Sequence, residues 1–338
     1  MKTRLFTFIL LFFIVFSANA MGTADSGNRQ NEVVIYTYDS FISEWGPAPV
    51  LSKLFEESTG LSCTFVNVGD GAQILAKVAL EKDAPQADLI LGIDNNQINL
   101  ARKTNVLEPY KPVNAEKNIS QDLLLTNDWL VTPFDWSYFA IIYDSESNIT
   151  IPSSLEDLTN PIYKNKIILM DPRTSTPGLG FVAWTVAVFG DDYLDYWKKL
   201  KNNILTMAPS WSTGYGLFTS GEAPFVISYT TSPAYHVEYN EGNRFKAIIF
   251  EQGHTRQIEG AALVKNAQNP EGAKQFLDFL VSLQAQEKIP LTQWMYPVNN
   301  SVKLPESYAV APLATKTLSV DNDKLEQAVD AVMSLLAN

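Results

Sequence analysis

Cysteine is almost missing from this chain: Cys63 is the only one in 338 residues. A disulfide within the chain is therefore excluded, and so is a metal site built on paired cysteines. Histidine is nearly as scarce, with His236 and His254 alone. Neither an HExxH zinc motif nor a multi-histidine cluster can be assembled from them. A serine hydrolase would need one of the two beside an activated serine, and no GxSxG elbow occurs. GxGxxG and phosphate-loop sequences are also lacking, which removes the usual marker of nucleotide chemistry. There is no internal repeat, low-complexity tract or basic run. Positive charge is in deficit, with 25 Lys and Arg against 37 Asp and Glu and a formal net charge of −12. That balance repels nucleic acid and anionic headgroups and mildly favours cationic ligands.

What is present begins at the amino end. Lys2 and Arg4 precede an apolar run over residues 5–16, followed by Ser17-Ala18-Asn19-Ala20. This is the pattern of a secretory signal peptide cleaved after Ala20. The run is too short for a spanning helix, which needs about 20 apolar residues. No cysteine follows it to carry a lipid, so an extracytoplasmic, unanchored protein is expected. Residues 21–31 are polar and read as a loose tail. Losing Lys2 and Arg4 makes the mature chain two units more negative still.

From residue 32 strands and helices alternate. Residues 32–38, 61–68 and 87–93 read as strands, with helices at 49–58, 72–82 and 95–103 between and after them. Gly60 is placed to stop the first helix. A second set follows: strands at 136–143, 166–170 and 225–229, and helices starting at 154, over 178–189 and over 193–201. Later strands are predicted at 245–250 and 261–264, with an amphipathic helix over 271–285. Alternation of this kind builds parallel sheets with helices on both faces. With 46% hydrophobic residues and no flexible linker, two α/β lobes in intimate contact are expected. Ligands of such sheets sit beyond the carboxyl ends of the strands. The informative loops are then 36–45, 69–71, 171–180 and 229–235. Cys63, on an apolar strand, reads as a small core filler, and both histidines read as structural.

Aromatic residues make up 12% of the chain, and many fall at strand ends or in these loops. They include Tyr36, Tyr38, Trp45, Trp211, Tyr215, Tyr229, Tyr235 and Trp294. Aromatic faces there suit a flat or cationic ligand. Asp39, Asp70 and Asp94 each end or follow a strand of the first lobe, where a carboxylate can oppose a ligand cation. Helix capping is the competing role, strong for Asp94 and Asp39 and weaker for Asp70 between two glycines. The Gly69-Asp70-Gly71 turn and the hydroxyl-rich segment 171–178 also offer donors to an anion.

Several segments carry a resemblance. Tyr36-Thr37-Tyr38-Asp39-Ser40-Phe41, Glu44-Trp45-Gly46-Pro47 and Leu91-Gly92-Ile93-Asp94-Asn95-Asn96 form the first group. Asp-Pro-Arg-Thr-Ser-Thr-Pro-Gly-Leu-Gly at 171–180, Ser-Tyr-Thr-Thr-Ser-Pro-Ala-Tyr at 228–235 and Trp294-Met295-Tyr296-Pro297 complete it. In order and spacing, over about residues 33–298, these resemble the thiamine-binding periplasmic proteins of bacterial ABC importers. The resemblance implies an α/β, two-lobed periplasmic-binding-protein fold of type II with its ligand in the interlobe cleft. Lobe 1 would take residues 32–135 with return segments from about 236 to 338, and lobe 2 residues 136–235. It implies a monomeric, non-enzymatic periplasmic receptor without metal or cofactor, binding thiamine and its mono- and diphosphate and docking on a membrane ABC permease.

Matched motif by motif, the ligand residues would be Tyr38, Trp45, Asp70, Gly71, Ser175, Trp211, Tyr229, Tyr235 and Trp294. Trp211, Tyr229, Tyr235 and Tyr38 would pack on the pyrimidine and thiazolium rings, and Asp70 would meet a polar group or the ring cation. The Gly71 N–H and the Ser175 hydroxyl would meet phosphate. Nanomolar capture needs about −12 kcal/mol, whereas a cation–π contact gives roughly 0.5–2 kcal/mol, so lobe closure must supply much of the rest. The segment after about residue 303 has little counterpart in the family.

Three other readings compete. A polyamine receptor of the same architecture would also combine aromatics with carboxylates. Ferric receptors commonly use adjacent tyrosines, and this chain has no Tyr-Tyr pair. A thiamine-degrading transferase would want a nucleophilic cysteine beside an acid, for which Cys63 is badly placed. An adhesive or structural surface protein fits poorly with aromatic loops at strand ends.

Overall fold

The computed structural model describes residues 29–337. The expected leader, its cleavage point and most of the expected tail lie outside the described residues. The last part of that tail is structured: Arg29–Asn31 form a 3-10 turn, and Asn269 Nδ2 donates to the Gln30 carbonyl at 3.3 Å.

The strands are β1 (Glu32–Thr37), β2 (Ser62–Asn67), β3 (Leu89–Asp94), β4 (Leu107–Glu108), β5 (Thr132–Asp144) and β6 (Ile167–Met170). They continue as β7 (Ile204–Ala208), β8 (Phe225–Tyr229), β9 (Phe245–Ile248), β10 (His254–Val264), β11 (Tyr296–Pro297) and β12 (Thr317–Leu318). Along the main path the order is β2-β1-β3-β10-β5-β8-β6-β7. β1 pairs in parallel with β2 and β3, and β6 in parallel with β7 and β8. The expected parallel cores are thus present, joined through two antiparallel strands, β5 and β10.

β5 is 13 residues long and belongs to both halves. Residues 132–138 pair with β10; residues 139–144 pair with β8 and β9. The side chains follow the same division. Phe134 packs in a core with Val33, Ile35, Phe41, Phe55 and Phe276. Phe139 packs in a second core with Ile168, Trp184, Trp197, Phe225 and Phe250. Each lobe therefore has its own hydrophobic interior, and the chain passes between them along continuous strand.

Local sequence explains most elements. β1 and β3 are apolar almost throughout because helices cover both faces of a parallel sheet. The helix Ala48–Thr59 buries Leu51 and Phe55 and stops at Gly60, whose φ of 75° closes the end as expected. Other expectations are revised. Residues 211–215 open a helix, Trp211–Thr219, capped by Ser210, and 229–235 runs into the helix Ser232–Glu238 with Pro233 in its first turn. β10 extends well before residue 261, and β7 was not foreseen. The segments from about 236 onward divide between the cores. β10, from residue 261, and the helix Pro270–Leu280 join the first. Phe245, Ile248, Phe250 and the last helix, Asn322–Ala337, join the second through Leu325, Ala328 and Val332.

Candidate functional site

The two lobes enclose a cavity of about 270 Å³ at the carboxyl ends of their parallel strands. Tyr38, Trp45, Asp70 and Gly71 line it from the first lobe; Trp211, Tyr229 and Tyr235 line it from the second; Trp294 closes one side. Ser175 does not line it. That residue is fully buried ahead of the helix Thr176–Phe189, where its hydroxyl acts on the Asp70 carboxylate. Its neighbours Thr176 and Pro177 form the wall in its place.

Each aromatic is held by the structure around it. Trp211 begins its helix, and its ring lies stacked on Tyr215 one turn on, centroids 5.0 Å apart at 17°. Its Nε1–H donates to Ser228 Oγ at 2.8 Å, which is itself 2.8 Å from Ser232 Oγ. Trp45 is half-exposed at the mouth, 6.3 Å from Trp211. Tyr235 meets Trp294 edge-on at 5.2 Å and 86°, and Trp294 takes a left-handed φ of 60° to reach that position. The Tyr229 hydroxyl donates to Gln257 Oε1 at 2.6 Å. The Tyr38 ring lies over Gly92, where an added Cβ would approach it to 2.5 Å. Gln293 Nε2 donates to the Tyr38 hydroxyl.

The acids behave differently from one another. Asp70 is the N-cap of the helix Gly71–Leu80 and forms a capping box with Gln73, so the capping role judged weaker for it is in fact fulfilled. The Gly71 N–H donates to Asp70 Oδ1 at 2.6 Å and is thus engaged by the carboxylate instead of facing the cavity free. Asp70 Oδ2 reaches across the cleft and accepts from the Trp211 N–H at 3.0 Å. Beside it, Ser212 Oγ donates to Asp39 Oδ1 at 3.2 Å. Two carboxylates of the first lobe therefore meet the positive end of a second-lobe helix, which ties the lobes together over the cavity. Burial pushes the Asp70 carboxyl up to about 6, against the two N–H donors that favour its charge.

Deeper in, Glu259 lines the cavity while only 3% exposed, and burial pushes its carboxyl up to about 8. Asp94 caps the 3-10 turn after β3, accepting from the Asn96 N–H at 2.8 Å, and burial raises it to about 7. Glu259, Gln257, Gln293 and His236 are lining residues that the sequence reading did not place at the site; Tyr215, from its aromatic set, and Thr176, from the hydroxyl-rich segment, also line it. The first three sit on β10 or beside Trp294 without any motif. Glu259 gave no signal of its own, because it stands in the polar half of β10 with Thr255, Arg256 and Gln257.

The remaining candidates are structural. His254 is fully buried, with Nδ1 2.8 Å from the Phe139 carbonyl and Nε2 accepting from the Phe250 N–H. His236 bridges the Tyr215 hydroxyl at 2.9 Å and Glu241 Oε2 at 2.7 Å. Burial pushes the Cys63 thiol up to about 11, which deprives it of thiolate character. Among the described residues no group of three His, Cys, Asp or Glu is arranged to hold a metal ion. Nor, among them, is any helix long and apolar enough to cross a membrane.

Two lobes sharing a long strand pair, closed over an aromatic and acidic cavity, define a solute receptor of the type II periplasmic-binding-protein class. Residues 38–287 match the family of bacterial extracellular solute-binding proteins, and the chain belongs to that family. Among its relatives is the thiamine-binding periplasmic protein of Brucella melitensis biotype 1, 41% identical over 318 residues, covering 92% of this chain and 93% of the relative. The thiamine-binding periplasmic protein of Escherichia coli K12 is 40% identical over 281 residues, covering 82% and 83%. The solved structure of a periplasmic thiamin binding protein aligns with a TM-score of 0.84 at 35% identity, covering 91% of this chain and 96% of that one. These relatives are binding proteins, and the chain is a binding protein, not an enzyme.

Proposed function

We propose that this protein is a periplasmic receptor that captures thiamine in the interlobe cavity and delivers it to a membrane ABC permease. The observation that carries the reading is the composition of the wall. Aromatic rings from both lobes face the cavity together with Asp70 and Glu259, and among the described residues no Lys or Arg lines it. Such a wall favours a flat cation over an anion or a neutral sugar. The names of the relatives at about 40% identity point the same way.

In this reading Trp211, stacked on Tyr215 and fixed through Ser228, is the rigid platform for one ring of the ligand. Tyr38, Tyr229, Tyr235 and Trp294 enclose the other ring, and Trp45 shields the mouth. The carboxylates of Glu259 and Asp70 oppose the thiazolium charge. The phosphate esters enter the same cleft with their phosphate toward Thr176 and the positive end of its helix. The Gly71 N–H, already bonded to Asp70, is a poorer phosphate donor than the resemblance implied. Titration calorimetry with thiamine, its two phosphate esters, spermidine and ferric citrate tests the reading. Thiamine should saturate one site at micromolar concentration or below; indifference to thiamine at millimolar concentration would refute it.

A further inference from the structure

Asp135 and Glu259 occupy directly opposed positions on β5 and β10. Both are buried, Asp135 completely, and like charges opposed in this way repel. Among the described residues no strict hydrogen bond reaches either Asp135 oxygen; the Gln293 amide and the Glu259 carboxyl are the groups near enough to bond it. Glu259 Oε2 accepts a long hydrogen bond, 3.3 Å from Gln293 Nε2, and the Tyr38 hydroxyl bonds the same carboxyl. The groups that act most strongly on the pair are the hydroxyl of Tyr38, the Gln293 amide and the carboxyls of Asp94 and Asp70. Asp135 also stands against Tyr229 and Tyr308. These are acids, phenols and an amide, and none supplies positive charge. With only a phenol and an amide to bond them, two opposed carboxylates are not both stable as anions in such a place, and protons held on the pair relieve the repulsion and the cost of burial. Glu259 at the same time forms part of the cavity wall, so a cation held deep in the cavity stands beside this pair.

We propose that the Asp135–Glu259 pair is protonated when the cleft is empty and releases one proton to solvent when a cationic ligand binds, leaving a carboxyl–carboxylate pair as counter-charge. The inference rests on the thiamine reading for its probe. The raised carboxyls of both residues, pushed up mainly by burial, agree with it. The charge balance closes: a pair holding one proton carries one negative charge, matching the single fixed positive charge of a thiazolium ring. Cation capture is thereby coupled to pH. While the empty pair holds both protons, affinity should rise tenfold per pH unit, and once the empty pair has lost one it should level off.

Infrared spectroscopy and calorimetry on the whole mature protein test this together. The ligand-free protein at pH 7 should show a protonated-carboxyl stretch that is reduced in E259Q and in D135N. Thiamine titrated in two buffers of different ionisation enthalpy should release one proton per ligand, and the stretch should weaken in step. An analogue with a neutral carbocyclic or thiophene ring in place of the thiazolium should release none. E259Q should bind thiamine about thirtyfold more weakly, without the tenfold-per-unit slope between pH 6 and 8. Absence of the carboxyl stretch in the ligand-free protein overturns the proposal. Thiamine binding with no proton release overturns the coupling alone. A protein that shows the stretch yet takes up no thiamine at any pH refutes the thiamine reading, and the coupling with it.

Discussion

Gly71 shows how tightly the site couples individual atoms to closure. A Cβ built there would stand 2.4 Å from Thr176 Oγ1 and 3.0 Å from the Gly92 carbonyl, so even a methyl group wedges the two lobes apart. Gly71→Ala should therefore weaken thiamine binding by about tenfold in calorimetry, because closure excludes water from the rings, while the melting temperature of the empty protein changes little. An affinity equal to that of the unsubstituted protein would show that the lobes close without this contact. Trp211→Ala removes the platform and its bond to Ser228. It should weaken thiamine by at least tenfold, and an unchanged affinity would take Trp211 out of the site. At this scale the aromatics and Asp70 were legible because they fall in long, unusual motifs at strand ends. Ser175 was misplaced by one position: in Asp-Pro-Arg-Thr-Ser-Thr-Pro the hydroxyls cannot be told apart by type, and only the entry angle of the helix puts Thr176 on the wall. Glu259 and Asp135 were not legible at all, since their meaning comes from being opposed across two strands 124 positions apart in the chain.

Among the elements, β5 and β10 decide how the lobes are joined. Both register shifts in β10 flank Gly260, one against β5 and one against β3. A Cβ at that position would lie 2.3 Å from Val131 Cγ1 and 2.7 Å from Leu125 Cδ1. Gly260→Ala should then destabilise the fold by about 2 kcal/mol through overpacking, read as a lower urea midpoint with an unchanged slope. A midpoint that does not move would mean that the strand crossing relaxes freely. The regular strands β1, β3 and β8 were visible in the sequence because burial on both faces leaves only apolar and β-branched residues. β10 was shortened to its last four residues because its other half carries Thr255, Arg256, Gln257 and Glu259, polar side chains that break the apolar run and serve the hinge and the cavity. The helices at Trp211–Thr219 and Ser232–Glu238 were read as loops for a related reason. Glycine at 214 and 216 lowers the helix propensity of the first, and packing against β6 and β8 overrides it; the second is only seven residues long and is held by packing against β9 and the 3-10 turn Glu306–Val310. The last helix escaped notice although Leu325, Ala328 and Val332 keep helical spacing. The resemblance ends before it, and its apolar stripe completes the second core.

For the whole molecule, the buried acids set an unusual dependence of stability on pH. Asp94, Asp135 and Glu259 all hold protons more tightly when folded than when unfolded, because burial disfavours their charged forms. A group raised in this way makes the folded state bind more protons, so stability falls as pH rises between its unfolded and folded values. His236 and His254 act in the opposite sense, being lowered by burial, but unfolded histidine loses its proton around pH 6.5, so their effect fades above that value. The ion-paired carboxyls, such as Asp128 held down to about 2 by Arg102, matter only in the acid range. Between pH 6.5 and about 8 these buried acids dominate, with Asp70 adding in the same direction at the lower end, and the melting temperature of the ligand-free protein should fall by about 5 °C or more. A bound cation supplies the missing counter-charge, so saturating thiamine should both raise the melting temperature and flatten its decline. Differential scanning calorimetry at a series of pH values, with and without thiamine, reads both effects. A melting temperature that climbs from pH 6.5 to 8 would contradict the protonated interior on which this dependence rests.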